Sequence, residues 1–402
     1  MTVFEAARTL GGRARALPCT LHDGSEVTLD NGQHILIGAY SETRSLLQTV
    51  GVNTDAALLR LPMTMVFPDG CGLRFPEWPA PLDAAWAILG ARGWSVASKW
   101  SLLRTALAWR WRGFHADPRQ TVAALCANLR ATPMADLIEP LCVSALNTPA
   151  RSASAEVFLR VLHDALFARS GGSNLLLPKV NLGALFPEAA AGWLQARGAK
   201  LVAGHRVNAL EASHSGWQVE GQAFDKILLA TAPWDAARIV QASGIQAAQW
   251  LEHVNALHYE AIATVYVQAE RGLSHPMLAL RSSAAAPAQF AFDRGQLGGP
   301  SGLLAFVVSA ATGEREVLQR QVMAQAQSLA EGLGLGRLQA LQTVVERRAT
   351  FACTPALQRP SMRIAPGLLA CGDYIEGPYP STLEGAVRSG LAAGDAVAAG
   401  RL

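Results

Sequence analysis

The chain has 402 residues, of which half are apolar and 16% are charged, and its formal net charge is +3. This length and composition predict two domains with a large buried core and exclude a disordered chain, while the small, dispersed charge gives no indication of nucleic-acid binding. The six cysteines (Cys19, Cys71, Cys126, Cys142, Cys353 and Cys371) show no Cys-x-x-Cys or zinc-like spacing, so we expect reduced, mostly buried thiols and no metal site.

Short strands and one helix open the chain before a long helical region. Thr2 to Phe4 ends a strand of β-branched and aromatic residues, Leu21 to Leu29 is typical of a hairpin turning at Asp23-Gly24, and Ala39 to Val50 is predicted to form an amphipathic helix. A second hairpin is expected from Met63 to Phe75. From residue 80 to 170, apolar residues recur three and four positions apart, which predicts mainly helices.

The second half of the chain is richer in strands. We predict strands at Lys200 to Val202, Arg206 to Glu211, Gly216 to Glu220, Lys226 to Leu229, Tyr259 to Gln268, Leu303 to Ser309 and Gly367 to Cys371, and helices at Glu314 to Gly332 and Ser381 to Ala399. This order predicts an α/β nucleotide-binding domain made of residues 1–60, 181–245 and 356–402. An α+β substrate domain, made of residues 61–180 (mainly helical) and 246–355, interrupts it.

An acidic residue that ends a strand, followed by a glycine pair and an arginine, is a candidate dinucleotide-binding motif. Glu5 ends the first strand, and Gly11, Gly12 and Arg13 follow it. In a dinucleotide fold, such an acid accepts hydrogen bonds from ribose hydroxyls, the glycines let the backbone approach the pyrophosphate, and the arginine neutralises it. A surface turn can produce the same pattern, so both interpretations stay open on this motif alone.

A second candidate motif lies near the C-terminus. A buried strand leads into Gly372-Asp373, and a helix starts near Ser381-Thr382. A glycine N–H and a carboxylate suit the ribityl chain of a flavin, and the positive end of a helix stabilises the negative charge of a reduced flavin. The alternatives are an ordinary turn at Asp373 and an ordinary helix cap at Ser381 or Thr382.

Taken together, these blocks resemble a known family. They are Val3-Phe4-Glu5-Ala6-Ala7-Arg8 with Leu10-Gly11-Gly12-Arg13-Ala14, Leu29-Asp30-Asn31-Gly32-Gln33-His34, Ala349 to Ala356, Gly372-Asp373, and Thr382-Leu383-Glu384-Gly385-Ala386-Val387-Arg388-Ser389-Gly390. The chain resembles, over essentially its whole length, the squalene-associated FAD-dependent desaturases, now understood as hydroxysqualene dehydroxylases. The glycine-pair motif is shared by all amine-oxidase-like flavoproteins, whereas the second and last blocks are narrower signals.

The resemblance implies a Rossmann-like FAD-binding domain and assigns roles to its residues. Glu5 would hold the adenosine ribose, Gly11, Gly12 and Arg13 would approach the pyrophosphate, Gly32 would contact the cofactor, and the backbone of Val207 would meet the adenine. Thr231 and Pro233 would close a loop beside the cofactor, Gly372 and Asp373 would meet the ribityl-phosphate part, and Leu383, Glu384, Gly385 and Ala386 would lie under the isoalloxazine.

One departure from the family pattern concerns the N-terminus. The family opens with a strand, a Gly-x-Gly-x-x-Gly turn and a helix, roughly 20 to 30 residues that would precede Glu5. No such fingerprint follows a strand elsewhere in the chain. We therefore expect the first βα unit of the FAD-binding domain to be encoded upstream of Met1, so that genomic DNA there should encode an in-frame glycine fingerprint.

The reaction implied by the resemblance is the replacement of the hydroxyl of hydroxysqualene by hydrogen, which gives squalene for hopanoid synthesis. An allylic C–O bond ionises to a stabilised cation, and reduced flavin delivers the hydride. The candidate proton donors are Asp30, His34, Tyr374 and Glu384, with the segment from Asp30 to His34 favoured. Each of these two residues also has a structural alternative: His34 can form a hydrogen bond that only stabilises the fold, and Asp30 can simply begin a turn.

A segment rich in tryptophan and arginine bears on how a C30 isoprenoid is collected. Residues 78–114 hold six of the ten tryptophans, and five basic residues but no acid lie between Ala84 and Phe114. Val96, Trp100, Leu103, Leu107 and Trp111 would form one apolar helix stripe, flanked by Lys99, Arg104 and Arg110. We therefore expect a cytoplasmic protein that can dock peripherally on the inner membrane face, beside neighbouring terpenoid enzymes. Alternatively, these tryptophans line the core or the pocket of the substrate domain.

Other functions remain compatible with the flavin motifs. A carotenoid desaturase or isomerase, or an amine oxidase, would carry the same cofactor blocks, because fold and cofactor do not specify the substrate. An aromatic cage involving Tyr374 and Tyr379 would favour an amine oxidase. A flavin-free scaffold for terpenoid enzymes is the alternative from another class. No second nucleotide fingerprint indicates the electron donor.

Overall fold

A computed structural model describes residues 1–214 and 216–400 of the chain. Its strands are Thr2–Glu5 (β1), Ala16–Thr20 (β2), Glu26–Asp30 (β3), Leu36–Ile37 (β4), Leu58–Leu61 (β5), Thr64–Val66 (β6), Gly72–Arg74 (β7), Leu175–Pro178 (β8), Lys200–Ala203 (β9), Glu211–Ser213 (β10), Gly216–Val219 (β11), Gln222–Phe224 (β12), Ile227–Leu229 (β13), Tyr259–Ala269 (β14), Met277–Ala279 (β15), Phe290–Asp293 (β16), Leu303–Ala311 (β17), Leu338–Phe351 (β18), Arg363–Ala365 (β19) and Leu368–Ala370 (β20). Its helices are Ser41–Thr49 (α1), Thr54–Ala57 (α2), Leu82–Leu89 (α3), Val96–Trp111 (α4), Val122–Leu125 (α5), Ala131–Pro133 (α6), Glu139–Leu146 (α7), Ala155–Leu166 (α8), Leu182–Leu185 (α9), Pro187–Gln195 (α10), Pro233–Ala242 (α11), Ala248–Asn255 (α12), Arg315–Leu333 (α13) and Leu383–Ala398 (α14).

Parallel strand pairs carry the two candidate cofactor motifs. β1 pairs with β9 in parallel, and β13 pairs in parallel with β20, which also pairs with β19 in the antiparallel sense. These strands form two separate sheets, β1-β9 and β13-β20-β19. Leu368, Leu369 and Ala370 of β20 are fully buried, as the uninterrupted apolar run predicts for a strand covered on both faces.

The second major sheet is antiparallel and has the order β15-β16-β17-β14-β18. Successive residues of a strand point to opposite faces of the sheet, and β14 packs apolar side chains on both faces. Ala263, Val265 and Val267 pack in one buried apolar cluster with α13, whereas Tyr266 joins the main core. The sheet therefore separates α13 from the part of the molecule that holds the candidate site.

Most of the predicted elements are confirmed, but one hairpin is shifted, one predicted strand is wrong, and several strands and helices were not predicted. The first hairpin pairs β2 with β3, so its strands start earlier than the predicted Leu21. The predicted strand from Arg206 to Glu211 is wrong: the strand begins at Glu211, because the residues before it bond to α11 side chains instead of a neighbouring strand. β18, a strand of 14 residues, was not predicted, since its mixed charged and apolar residues do not alternate regularly.

Helices dominate residues 80–170, as predicted, and the antiparallel sheet lies within residues 246–355. The domain boundaries themselves stay a prediction. All six cysteines are free, and four of them are buried. Burial raises the pKa of Cys353 and Cys371 to about 11, so these thiols stay protonated at neutral pH. Among the described residues, no helix is both long and apolar enough to cross a bilayer.

Candidate cofactor-binding and active site

The glycine-pair motif follows β1 in a tight turn. The Glu5 carboxylate accepts a hydrogen bond of 2.7 Å from the Ala7 N–H, which fixes the acid at the strand end. Gly11 has a φ of +108°, and a Cβ there would meet the Ala14 carbonyl oxygen at 2.4 Å. Only glycine fits this position without a backbone shift.

The two cofactor motifs come together in space although about 360 residues separate them. Arg13 donates from Nη2 to Oδ1 of Asp373 at 2.8 Å, and its Nη1 donates to the Ala349 carbonyl. The Asn31 amide donates to the Arg13 carbonyl oxygen at 3.3 Å and to Glu346 at 3.2 Å. Residues from four of the five sequence blocks therefore meet at one place.

At the N-terminus of α14, the backbone of Gly385 lies close to the backbone carbonyl of Tyr379. The Thr382 hydroxyl accepts from the Gly385 N–H and donates to the Tyr379 carbonyl, both at 2.9 Å, so it caps the helix. A Cβ on Gly385 would lie 2.0 Å from the same Tyr379 carbonyl oxygen. Leu383 and Ala386 are half-exposed, so this end of the helix is open to a ligand.

Glu384, a predicted catalytic acid, makes structural contacts instead. Its carboxylate is fully buried and accepts hydrogen bonds from the backbone N–H groups of Glu42 and Thr43 and from the Thr43 hydroxyl. Arg388 pairs with it at 2.8 Å. Because the α1 N-terminus has no cap of its own, Glu384 supplies that cap from α14. These contacts do not favour a role as proton donor.

Asp30 is likewise held by several groups. One carboxylate oxygen accepts from the Leu182 N–H at 2.8 Å, and the other lies 3.7 Å from Nη2 of Arg294. Burial raises the pKa of Asp30, while the Leu182 N–H and the Arg294 charge act in the opposite direction. The Tyr266 hydroxyl donates to the Asp30 carbonyl at 2.9 Å, so backbone and side chain are both fixed.

His34 is the predicted catalytic residue that keeps a free ring nitrogen. Its Nδ1 lies 2.9 Å from the Gly32 carbonyl oxygen and must donate to it, because a carbonyl oxygen only accepts. Nε2 forms no hydrogen bond within the described residues and is therefore available to another group. Burial lowers the pKa of His34, so the ring is neutral at pH 7.

Three other residues predicted to contact the cofactor lie farther along the chain, beside α11 or at its start. The Val207 carbonyl accepts from Arg238 at 3.3 Å, and Val207 lies outside any strand. The Thr231 hydroxyl donates to the Ala232 carbonyl at 3.3 Å, and Pro233 is the buried first residue of α11. The cofactor roles of these residues stay predictions.

Several polar residues near the site were not predicted. Arg294 is a nearly buried cation whose guanidinium also reaches the Gln33 side chain at 3.3 Å. The Arg348 guanidinium lies 4.6 Å from the Trp234 ring centroid and 5.8 Å from that of Tyr259. No sequence motif marks these residues, although the Glu346-Arg347-Arg348 run inside a strand signals that charge is tolerated there.

The residues present fit a polar, extended cofactor. Within the described residues, three buried polar side-chain atoms lack a partner: Nε of Arg15, Oγ1 of Thr264 and the hydroxyl of Tyr374. Each belongs to a residue beside a candidate residue: the Arg15 backbone carbonyl accepts from the Asn31 N–H, Thr264 faces Gly32, and the Tyr374 ring packs on Gly372. Unpaired buried polar atoms are costly, so a bound ligand would satisfy them.

Comparison with known proteins supports this interpretation. Residues 1–398 match the family model described as flavin containing amine oxidoreductase. The chain is 26% identical to a hydroxysqualene dehydroxylase from Sinorhizobium fredii, covering 98% of this chain and 91% of the relative. It is 24% identical to a hydroxysqualene dehydroxylase from Zymomonas mobilis, covering 98% of this chain and 92% of the relative.

Solved structures share the fold. An oxidoreductase from Methanosarcina mazei superposes with a TM-score of 0.71 at 16% identity, covering 98% of this chain and 94% of that one. Cyclohexylamine oxidase from Brevibacterium oxydans gives a TM-score of 0.64 at 13% identity, covering 99% of this chain and 93% of that one. At these identities, the similarity establishes the α/β architecture with its α+β companion, and nothing about the substrate.

Proposed function

Because the chain belongs to the family of flavin-containing amine oxidoreductases, we propose that it replaces the hydroxyl group of hydroxysqualene with hydrogen and so forms squalene. The protein is an FAD-dependent oxidoreductase. The similarity to hydroxysqualene dehydroxylases over nearly the whole chain supports hydroxysqualene as the substrate. One structural observation supports the location of the active site: the segment from Asp30 to His34 lies directly against the Arg13–Asp373 pair.

In this proposal, the cofactor lies between the turn at Gly11 and the N-terminus of α14. Glu5 and Arg13 would hold its ribose and pyrophosphate, and Gly372 and Asp373 its ribityl part. The half-exposed start of α14 would face the ring with its positive dipole end. Reduced FAD supplies the hydride equivalent. The substrate loses hydroxide, which takes up a proton and leaves as water, so one hydride and one proton are consumed.

The chain's own contribution is to hold a proton and to exclude water. His34 is the candidate that presents an unpaired nitrogen, and the Gly32 carbonyl orients its ring by accepting from Nδ1. Nε2 donates a proton only from the protonated ring, which is the minor form at pH 7 because burial lowers the pKa of His34. Asp30 and Arg294 position that segment without supplying the proton, because both are engaged with fixed partners. The apolar side chains of the main core, including Phe290 and Phe292 of the antiparallel sheet, would keep bulk water from a cationic centre.

Replacing His34 by asparagine is expected to change the pH dependence of stability and turnover. The folded-state pKa of His34 is lowered, so its contribution to the free energy of unfolding is present above about pH 6.5 and is lost as the pH falls below that value. Denaturant unfolding at neutral and mildly acidic pH should show this loss in the wild type and not in the variant. Turnover of the variant should drop about a hundredfold.

The exposed His115, replaced by asparagine, is the control and should leave both properties unchanged. In the wild type, turnover should fall as the pH rises through the lowered pKa of His34, because the protonated ring is then lost. A variant with wild-type turnover and an unchanged pH profile would exclude His34 as the proton source.

Thr264→Val tests the unpaired hydroxyl beside Gly32. Removing a buried hydroxyl that has no protein partner should raise the free energy of unfolding by about 1 kcal/mol. If the hydroxyl contacts substrate or cofactor, kcat/KM should fall about tenfold, and Thr264→Ser should restore it. Thr343→Val is the matched control: this buried threonine donates to Gln319 at 2.9 Å, so its loss should destabilise the protein. Equal effects of Thr264→Val and Thr343→Val on stability would contradict the inference that the Thr264 hydroxyl has no protein partner.

The function itself is tested by turnover. The purified chain is examined for a flavin spectrum, loaded with FAD, reduced with dithionite without oxygen, and given hydroxysqualene, with squalene detected by mass spectrometry. Parallel assays offer phytoene or a primary amine to the oxidised protein. Squalene formation supports the proposal. Product only from phytoene or the amine would assign the chain to a desaturase or an amine oxidase. Failure to bind flavin, both by this chain and by one extended upstream through the expected glycine fingerprint, would favour the scaffold.

The amine-oxidase alternative gains no support from the aromatic residues near α14. Tyr379 donates to Asp164 at 2.6 Å and has the Arg388 guanidinium 4.9 Å from its ring centroid. Tyr374 is buried against Gly372. These contacts engage the two rings in different places, so they do not form the paired cage that would favour amine binding.

A further inference from the structure

Exposed apolar side chains are concentrated in one segment of the molecule. Eight of the twelve large apolar side chains that are exposed in the described part of the chain lie between residues 78 and 111. We call them the tryptophan face: Trp78, Leu82, Trp86, Leu89, Val96, Trp100, Leu107 and Trp111. Single exposed apolar residues are normal, but a contiguous group marks an interaction surface.

Helical periodicity explains why these residues share a surface. In α4, the buried residues Ser98, Leu102 and Trp109 lie on one side, and the exposed residues of the tryptophan face lie on the opposite side at intervals of four and seven. Trp111 is 93% exposed, so it projects fully into solvent. The alternative that these tryptophans line the core therefore holds only for Trp94 and Trp109.

The two helices of the face are joined into one unit. The Lys99 ammonium donates to the Leu89 carbonyl at 2.7 Å and so ties the end of α3 to α4. The rings of Trp78 and Trp86 lie 5.1 Å apart between centroids, which extends the face to the segment before α3. A fixed arrangement of rings loses little conformational entropy on binding.

The exposed charges within residues 78–116 are all positive. Arg92, Arg104, Arg110 and Arg112 are exposed, and none of them forms an ion pair within the described residues. No acid occurs from residue 84 to 116, and Asp83 is buried, so the exposed acids nearest in sequence are Glu77 at one end and Asp117 at the other. A second copy docked by the same face would bring these positive charges together, which disfavours self-association.

We propose that the tryptophan face docks on an anionic lipid bilayer. Indole rings favour the headgroup region, and flanking arginines are attracted by anionic lipids. Apolar residues of α3 and α4 would enter the interface while the buried side of α4 stays on the protein core. This inference goes beyond the proposed reaction and does not depend on the identity of the substrate.

Vesicle sedimentation with the full-length chain tests the proposal. The probe is a vesicle of phosphatidylcholine and phosphatidylglycerol in equal parts, compared with phosphatidylcholine alone. The wild type should bind the mixed vesicle more tightly, and salt should weaken that binding. Arg104→Gln with Arg110→Gln should weaken it about 30-fold, and Leu107→Gln with Trp111→Gln about tenfold. Val317→Gln with Arg320→Gln, exposed on α13, is the matched control and should bind like the wild type.

A second measurement on the unmodified protein does not rely on variants. Lipids brominated on their acyl chains should quench the tryptophan fluorescence of the wild type in mixed vesicles, because the exposed indoles then lie at the acyl boundary. The proposal is overturned if mixed vesicles sediment no more protein than a lipid-free sample. It is also overturned if the wild type is a dimer that Leu107→Gln with Trp111→Gln dissociates while vesicles bind neither protein.

Discussion

Replacing Glu384 by alanine is expected to lower the free energy of unfolding by about 3 to 5 kcal/mol. Its fully buried carboxylate accepts from two backbone N–H groups at the start of α1 and from the Thr43 hydroxyl, and it pairs with Arg388. Alanine would leave these donors without a partner in a site that water does not reach. Denaturant unfolding measures the loss, and Glu316→Ala, an exposed acid in the first turn of α13, should change stability by no more than about 0.5 kcal/mol.

A glutamine at position 384 separates the structural role from the catalytic one. Glutamine has a single acceptor oxygen, so it cannot serve both α1 and Arg388, and the variant should also be destabilised. A Glu384→Gln variant that unfolds like the wild type and binds FAD, but makes no squalene, would contradict this account and support the proton-donor prediction. Turnover that falls only in step with the folded fraction would support the structural role.

Replacing Gly385 by alanine is expected to disrupt the start of α14 and with it the binding of flavin. The new Cβ would lie 2.0 Å from the Tyr379 carbonyl oxygen, a contact that only a backbone shift can relieve. That carbonyl also accepts from Thr382, so the shift would disturb the helix cap. We expect a loss of about 3 kcal/mol in the free energy of unfolding and at least a tenfold weaker affinity for FAD.

Gly390 in the same helix provides the matched control. A Cβ at Gly390 meets no atom within 4 Å, so alanine there should stabilise the helix by about 0.5 to 1 kcal/mol and leave the flavin spectrum unchanged. Thermal unfolding and titration with FAD, followed by flavin fluorescence, compare the two variants directly. If Gly385→Ala bound FAD as tightly as Gly390→Ala, the start of α14 would not be part of the cofactor site.

The sequence by itself determined the features that depend on neighbours along the chain. The strand before Glu5, the cap at Thr382, the helical region of residues 80–170 and the apolar stripe of α4 follow from local periodicity and from the chemistry of caps and turns. The motifs also indicated the cofactor through their resemblance to a flavoprotein family, in which glycines, an acid and an arginine at this spacing meet a dinucleotide.

Only the tertiary structure decided which distant side chains share their partners. Glu384 and Thr43 are 341 residues apart in sequence, and no local pattern shows that Glu384 caps α1, the helix that contains Thr43. Arg294 beside Asp30, and Arg348 over Trp234, are likewise contacts between separate segments. Periodicity predicts that a helix has an apolar stripe but does not say what that stripe faces. The exposure of Trp100 and Trp111, and the burial of Trp109 between them, depend on where the rest of the core lies.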